Sequence, residues 1–255
     1  MNIWATERRL LYIGGIILFL AIVVALPTFF TVYRPPSCTD GKLNQGEAGV
    51  DCGGPCKNLC PTEALAPIVS WRRFFEVSPG VYSALAYIQN PNVNSIPKTA
   101  VPYSFKFYDS ENVQIAERVG EVEVVPNRNT PVFEPNINVG TLVPTRVTFE
   151  LGKVSEWVKI EGVYPNIVTT DPLLTRADTS PKLSGTLVNK DFVEYRRVPV
   201  IGIIYDTDGN AIAASRTVVD YIGKNDSEQF FFTWPKPFKK EVGQRELVPI
   251  LFPLK

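Results

Sequence analysis

Four cysteines, Cys38, Cys52, Cys56 and Cys60, fall in one stretch, CTDGKLNQGEAGVDCGGPCKNLC, which also carries Asp40, Asn44, Glu47 and Asp51. Three chemistries compete for these side chains. Four thiolates could hold zinc, but zinc sites commonly join two close pairs across a longer loop, and here 13, 3 and 3 residues intervene. A thioredoxin-type redox pair needs Cys-x-x-Cys, which is absent. An even cysteine count in an exported segment favours two disulfides, whose connectivity the spacing leaves open. The four oxygen side chains, spaced by four, three and four residues, could take calcium, although the ordered EF-hand loop is missing. Alternatively they cap and turn the backbone of a loop with little core, with Gly41, Gly46, Gly49, Gly53 and Gly54 supplying its unusual dihedrals.

The rest of the chain offers less chemistry. It has 255 residues, 45% of them apolar, and no histidine. That composition supports a real core, and it excludes histidine triads, a histidine base and histidine-ligated zinc within this chain. Asp171, Asp178, Glu121 and Glu123 are carboxylates with nothing in the sequence to pair them, and no phosphate-binding glycine loop occurs. No catalytic residue and no cofactor site is therefore assigned. Twenty-six basic residues balance 26 acidic ones, which gives no surplus for nucleic acid. The pairs Arg72-Arg73 and Arg196-Arg197 and the run KPFKKE (236 to 241) could bind an acidic polymer, but they read better as charged strand edges and a solvated loop.

The elements that position these residues begin with LLYIGGIILFLAIVVALPTFFTVY, residues 10 to 33, which carry no charge. As a helix this run spans roughly 36 Å at ~1.5 Å per residue, enough to cross a hydrocarbon core of about 30 Å. Arg8 and Arg9 precede it and Arg34 follows, a modest positive-inside bias that places the N-terminus in the cytoplasm. Trp4, Tyr12 and Tyr33 mark its ends, and Pro27 marks a kink. A cleaved signal peptide is the alternative, with Val23-Val24-Ala25 as the cleavage point. The apolar residues that continue past Ala25 favour the uncleaved anchor.

Beyond residue 60 the chain repeats itself. APIVSW (66 to 71) lies over PNIVTT (165 to 170), SALAYIQN (83 to 90) over KLSGTLVN (182 to 189), FKFYDSENVQIAE (105 to 117) over GIIYDTDGNAIAA (202 to 214), and VFEP (132 to 135) over FTWP (232 to 235). Period two dominates: Val101, Tyr103, Phe105 and Phe107 alternate with polar positions, as do Val147, Phe149 and Leu151. Asp208-Gly209-Asn210 between apolar runs marks a hairpin. Two antiparallel β-sandwiches in tandem follow.

Phe105-Lys106-Phe107-Tyr108-Asp109 and Gly202-Ile203-Ile204-Tyr205-Asp206, each preceded by a strand ending in Asn (Asn90, Asn189), resemble the FxLYD domain, a relative of LEA-like water-stress sandwiches. The first copy departs from the pattern at Phe107, the second at Gly202 and Ile204. The resemblance implies immunoglobulin-like sandwiches, usually exported or membrane-anchored in prokaryotes, without catalysis. The cysteine stretch resembles a short DCGGxC-type motif of exported prokaryotic surface proteins, which implies a spacer or stalk.

The expected architecture is mainly β: a cytoplasmic N-terminus (1–9), a transmembrane helix (10–33), a disulfide-rich neck (34–65) and two sandwiches (66–164 and 165–255). The expected function is non-enzymatic, a single-pass membrane protein presenting the sandwiches to protein partners in the cell envelope. The rivals are an extracytoplasmic enzyme with carboxylate or metal chemistry and a ligand-free spacer. Partner identity and oligomeric state are not encoded in any motif.

Overall fold

The computed structural model describes residues 3–32, 36–160, 162 and 164–252. The chain forms two compact units, Met1–Cys56 and Lys57–Lys255.

In the first unit, α1 (Ile3–Leu20) runs through a π-helical turn (Ala21–Ala25) into α2 (Leu26–Val32). Thr6–Phe29, 24 residues with mean hydropathy 2.7, is long and apolar enough to cross a membrane. The π turn lies where the Pro27 ring would crowd the preceding carbonyls, and the Thr28 hydroxyl donates to the carbonyls of Val24 and Ala25. At the other end the Arg8 guanidinium lies 4.0 Å over the Trp4 ring. Tyr33 and Arg34 lie outside the described residues. The neck is built of turns around one isolated bridge between Gly49 and Cys52. Gly41, Gly46, Gly53 and Gly54 take positive φ as expected, whereas Gly49 does not. Glycine is strictly required at Gly54, where a Cβ would come 2.1 Å from the Gly46 carbonyl oxygen.

The regular elements of the second unit, among the described residues, are all strands. In chain order it forms β1 (Asn58–Leu59), β2 (Ile68–Ser78), β3 (Val81–Gln89), β4 (Ser95–Pro97), β5 (Val101–Tyr108), β6 (Gln114–Val122), β7 (Asn129–Asn138), β8 (Arg146–Leu151) and β9 (Trp157–Lys159). It continues as β10 (Ile167–Thr175), β11 (Lys182–Asn189), β12 (Tyr195–Asp206), β13 (Ala211–Ile222), β14 (Ser227–Thr233) and β15 (Val242–Pro249). The sheets β2-β3-β7 and β6-β5-β8 form the first sandwich, and β10-β11-β14 and β13-β12-β15 form the second. The two orders correspond strand for strand, and every pairing is antiparallel. A small sheet, β1-β9-β4, sits beside them.

The expected alternation holds on β5, where Val101, Tyr103, Phe105 and Phe107 are buried. One repeat alignment is corrected by the ladders. Ala84 faces Glu134 and Ala86 faces Val132, whereas Leu183 faces Phe232 and Gly185 faces Phe230. With SALAYIQN over KLSGTLVN, Val132 therefore corresponds to Phe230, two residues from the expected match. A slip of two keeps the same face, so the hydrophobic pattern alone could not detect it.

Each sandwich encloses its own core. Phe105, Phe107, Ile88 and Ile137 are central to the first, and Leu183, Leu187, Ile204 and Phe232 to the second. A third core lies outside both, between β3 and β7 of one sandwich and β12 and β13 of the other. It contains Phe75, Leu85, Tyr87, Phe133, Ile201 and Ile203. The sandwiches are thus fused through apolar sheet faces. The third core explains why YSALAYI on β3 and VIGII on β12 do not alternate: both faces of each strand are buried.

Candidate functional site

In the neck, Cys38 is bonded to Cys56, Cys52 and Cys60 are likewise in disulfides, and no cysteine is free. The thiolates that a zinc site needs are therefore consumed. Among the described residues one group of metal-competent side chains converges, Cys38, Glu47 and Cys56, and its two sulfurs belong to a single disulfide.

The four oxygen side chains are engaged with the loop itself. Both carboxylate oxygens of Asp51 accept from the Gly41 N–H, at 2.9 and 3.1 Å. Asp40 accepts from the Lys42 N–H at 2.9 Å and the Asn44 amide at 2.8 Å, and that amide, above all, holds the Asp40 carboxyl below its usual range. Glu47, 9% exposed, accepts from the backbone N–H of Asn44 and Asp51, and its other oxygen rests 3.1 Å from Cys56 Sγ. A disulfide sulfur has no proton to donate, so this last approach is a contact and not a hydrogen bond. The Asn44 Oδ1 atom is buried without a partner.

The Tyr-Asp motifs build hairpin turns. Asp109 Oδ1 accepts from the N–H groups of Glu111 and Val113, and Asp206 Oδ1 accepts from those of Asp208 and Asn210. In each copy the aspartate receives the amides two and four residues ahead, and positive φ at Asn112 and Gly209 completes the turn. Asp206 is 3% exposed and also accepts from Lys240 Nζ at 2.6 Å; that ion pair is the main reason its carboxyl lies below the usual range. The upstream asparagines have a matching role that their position alone did not reveal. Asn90 donates to the Ser95 carbonyl and accepts from the Asn92 N–H, while Asn189 donates to the carbonyls of Val193 and Gly223 and accepts from the Asp191 N–H. Both are essentially fully buried, and each closes the loop after its strand.

The departure at Gly202 has a packing cause. A Cβ there would lie 2.8 Å from the Phe232 ring, so that ring fills the space that Phe105 occupies in the first copy. By the ladders Phe232 corresponds to Glu134. The large ring at this place thus comes from β5 in the first copy and from β14 in the second.

The charged segments do not all behave as isolated solvated edges. Arg196 pairs with Glu194 and lies over the Tyr221 ring, a surface arrangement. Arg72 and Arg73, by contrast, meet the KPFKKE run in a groove of about 560 Å³ between the sandwiches, which Arg146 also lines. Six cationic residues, Arg72, Arg73, Arg146, Lys236, Lys239 and Lys240, line it together with one acid, Glu76, and of these Lys240 is held by Asp206. Glu76 lies 3.3 Å from Lys239 and 3.9 Å from Lys236, and Arg73 donates to the Asn210 side chain at 2.7 Å. Pro235 and Pro237 have no N–H with which to pair with a strand, while Trp234 and Phe238, with ring centroids 5.3 Å apart, anchor the loop on the second core. These cations come from segments far apart in sequence, and their convergence appears only in the fold.

No family model matches the sequence, and no match is found among curated proteins. Among solved structures, the crystal structure of red sea bream transglutaminase overlaps 72% of this chain and 29% of that one at 6% identity, with a TM-score of 0.22. A superposition that loose carries no argument about fold or activity.

Proposed function

We propose that the chain is a single-pass membrane protein with its N-terminus in the cytoplasm. The neck and the two FxLYD-like sandwiches then stand outside the membrane and bind protein partners in the cell envelope without catalysing a reaction. The anchor is supported by the apolar helix Thr6–Phe29. The observation that carries the binding reading is the third core: Leu85, Tyr87, Ile201 and Ile203 are almost fully buried between the sandwiches, which makes the two repeats one body with one defined surface. A spacer whose task is only reach has no need of such a joint. The oxidised neck supports export, because disulfides persist outside the cytoplasm.

Affinity purification of the full chain from detergent-solubilised membranes tests the binding reading. It predicts recovery with a stable stoichiometric protein partner. Recovery as a bare monomer, under conditions that keep other envelope complexes together, contradicts it.

A further inference from the structure

The groove runs along the free edge of β2. This strand is at the border of its sheet, and Arg72 through Val77, six consecutive residues, line the cavity. Their backbone groups that point away from β3 have no hydrogen-bond partner among the described residues. Across the groove lies β13, itself a sheet border, which lines it with Ala211, Ile212, Ala213 and Ala214. Two buried polar atoms of lining residues are also without partners, Ser83 Oγ, whose residue is 2% exposed, and Trp234 Nε1. An unpaired strand edge normally invites any passing strand. Here β13, the start of β8 and the 234–240 loop line the same groove, so the edge lies inside a groove and not on an open sheet border.

We propose that this groove docks an extended, acidic segment of a partner protein, which adds as a strand to β2 and sets its carboxylates against Arg72, Lys236 and Lys239, Arg72 sharing the face of β2 that carries Glu76. The free edge chooses the class of ligand, since a row of backbone donors and acceptors is matched by another peptide backbone and not by a sugar chain. The charge chooses the sequence: Lys240 is held by Asp206, and the other cations that line the groove still exceed its one lining acid, Glu76. Six residues of edge extend about 20 Å at ~3.3 Å per residue, which fits a peptide of similar length. This inference rests on the reading of the head as a partner-binding body and names the chemistry of the partner.

The test is fluorescence anisotropy of the full chain in detergent micelles with a fluorescein-labelled hexapeptide of alternating glutamate and valine. Saturable binding is expected, weakened at least tenfold by Lys236→Glu with Lys239→Glu, or by Arg72→Glu, in proteins whose thermal melts match the parent. The Lys239 side chain is 88% exposed and its ion pair with Glu76 lies at the surface, so its replacement is expected to leave the fold intact. A backbone N-methylated version of the peptide should not bind. Absence of saturable binding overturns the proposal, and so does equal binding of a lysine–valine peptide. Retained binding of the N-methylated peptide, or tighter binding of an acidic oligosaccharide, also overturns it by showing that the groove reads charge without a strand. Peptide binding does not depend on membrane orientation, so failure here alongside recovery of a stable envelope partner removes the groove and leaves the broader function standing.

Discussion

At the residue scale, the head is held by polar side chains that close loops. Asn189 satisfies two carbonyls and one N–H in a buried loop, so Asn189→Ala leaves buried groups without partners. A loss of about 1–3 kcal/mol is expected, read as a lower thermal midpoint by circular dichroism. Asp206→Ala should cost more than Asp109→Ala, because Asp206 is buried and holds Lys240 in addition to its turn. The Asp208-Gly209-Asn210 turn was legible in the sequence because turn chemistry is local; the asparagine latches were not, because Asn189 reaches Gly223 across the fold. The buried tyrosines predict alkaline lability. Burial, reinforced by Glu246, raises the ionisation of Tyr87 and Tyr205 far above the ordinary value, and burial raises Tyr195 to about 12. Above pH ~10 the unfolded chain sheds these protons while the native chain keeps them, so stability present below that pH is lost as pH rises. The melting temperature should fall steeply above pH ~10, and Tyr87→Phe should flatten the slope.

At the element scale, the copies share a topology yet fill it differently. Gly202 on β12 lies against the Phe232 ring of β14, where the corresponding positions of the first sandwich hold Phe105 and Glu134. Gly202→Ala forces a methyl to within 2.8 Å of the Phe232 ring and should destabilise by about 1–3 kcal/mol. Phe232→Leu in the same chain should recover part of that loss, and thermal melts of the single and double variants measure the coupling. The sequence showed Gly202 as a departure from the motif and gave no sign of the compensating ring, because the partner comes from another strand. The neck makes a separate point. With Asp51 on the Gly41 N–H and Asp40 on Lys42 and Asn44, its carboxylates already have partners. Chelation of calcium by EGTA is expected to leave the melting temperature unchanged, and a clear drop would mean that Asp40, Asn44, Glu47 and Asp51 hold an ion.

At the scale of the whole molecule, two sandwiches with a shared apolar core should unfold together. Calorimetry of the solubilised chain is expected to show one transition for the head, and Leu85→Asp, which buries a charge in the third core, should split or broadly lower it. Both sandwiches were readable from period-two strands and tandem spacing. Their fusion was hidden, because a strand buried on both faces loses the alternation that identifies it, although the unbroken runs YSALAYI and VIGII carried the signal. The groove was hidden for a different reason: its cations belong to segments that meet only when the sandwiches pack. The central claim, a head anchored outside the membrane, is tested most directly by lysine chemistry, because every lysine in the chain lies C-terminal to the apolar helix. A membrane-impermeant amine reagent is applied to cells stripped of outer layers but sealed at the cytoplasmic membrane, and labelling of Lys236 and Lys239 is read by mass spectrometry. The account predicts labelling as strong in sealed as in permeabilised cells; labelling only after permeabilisation would contradict it.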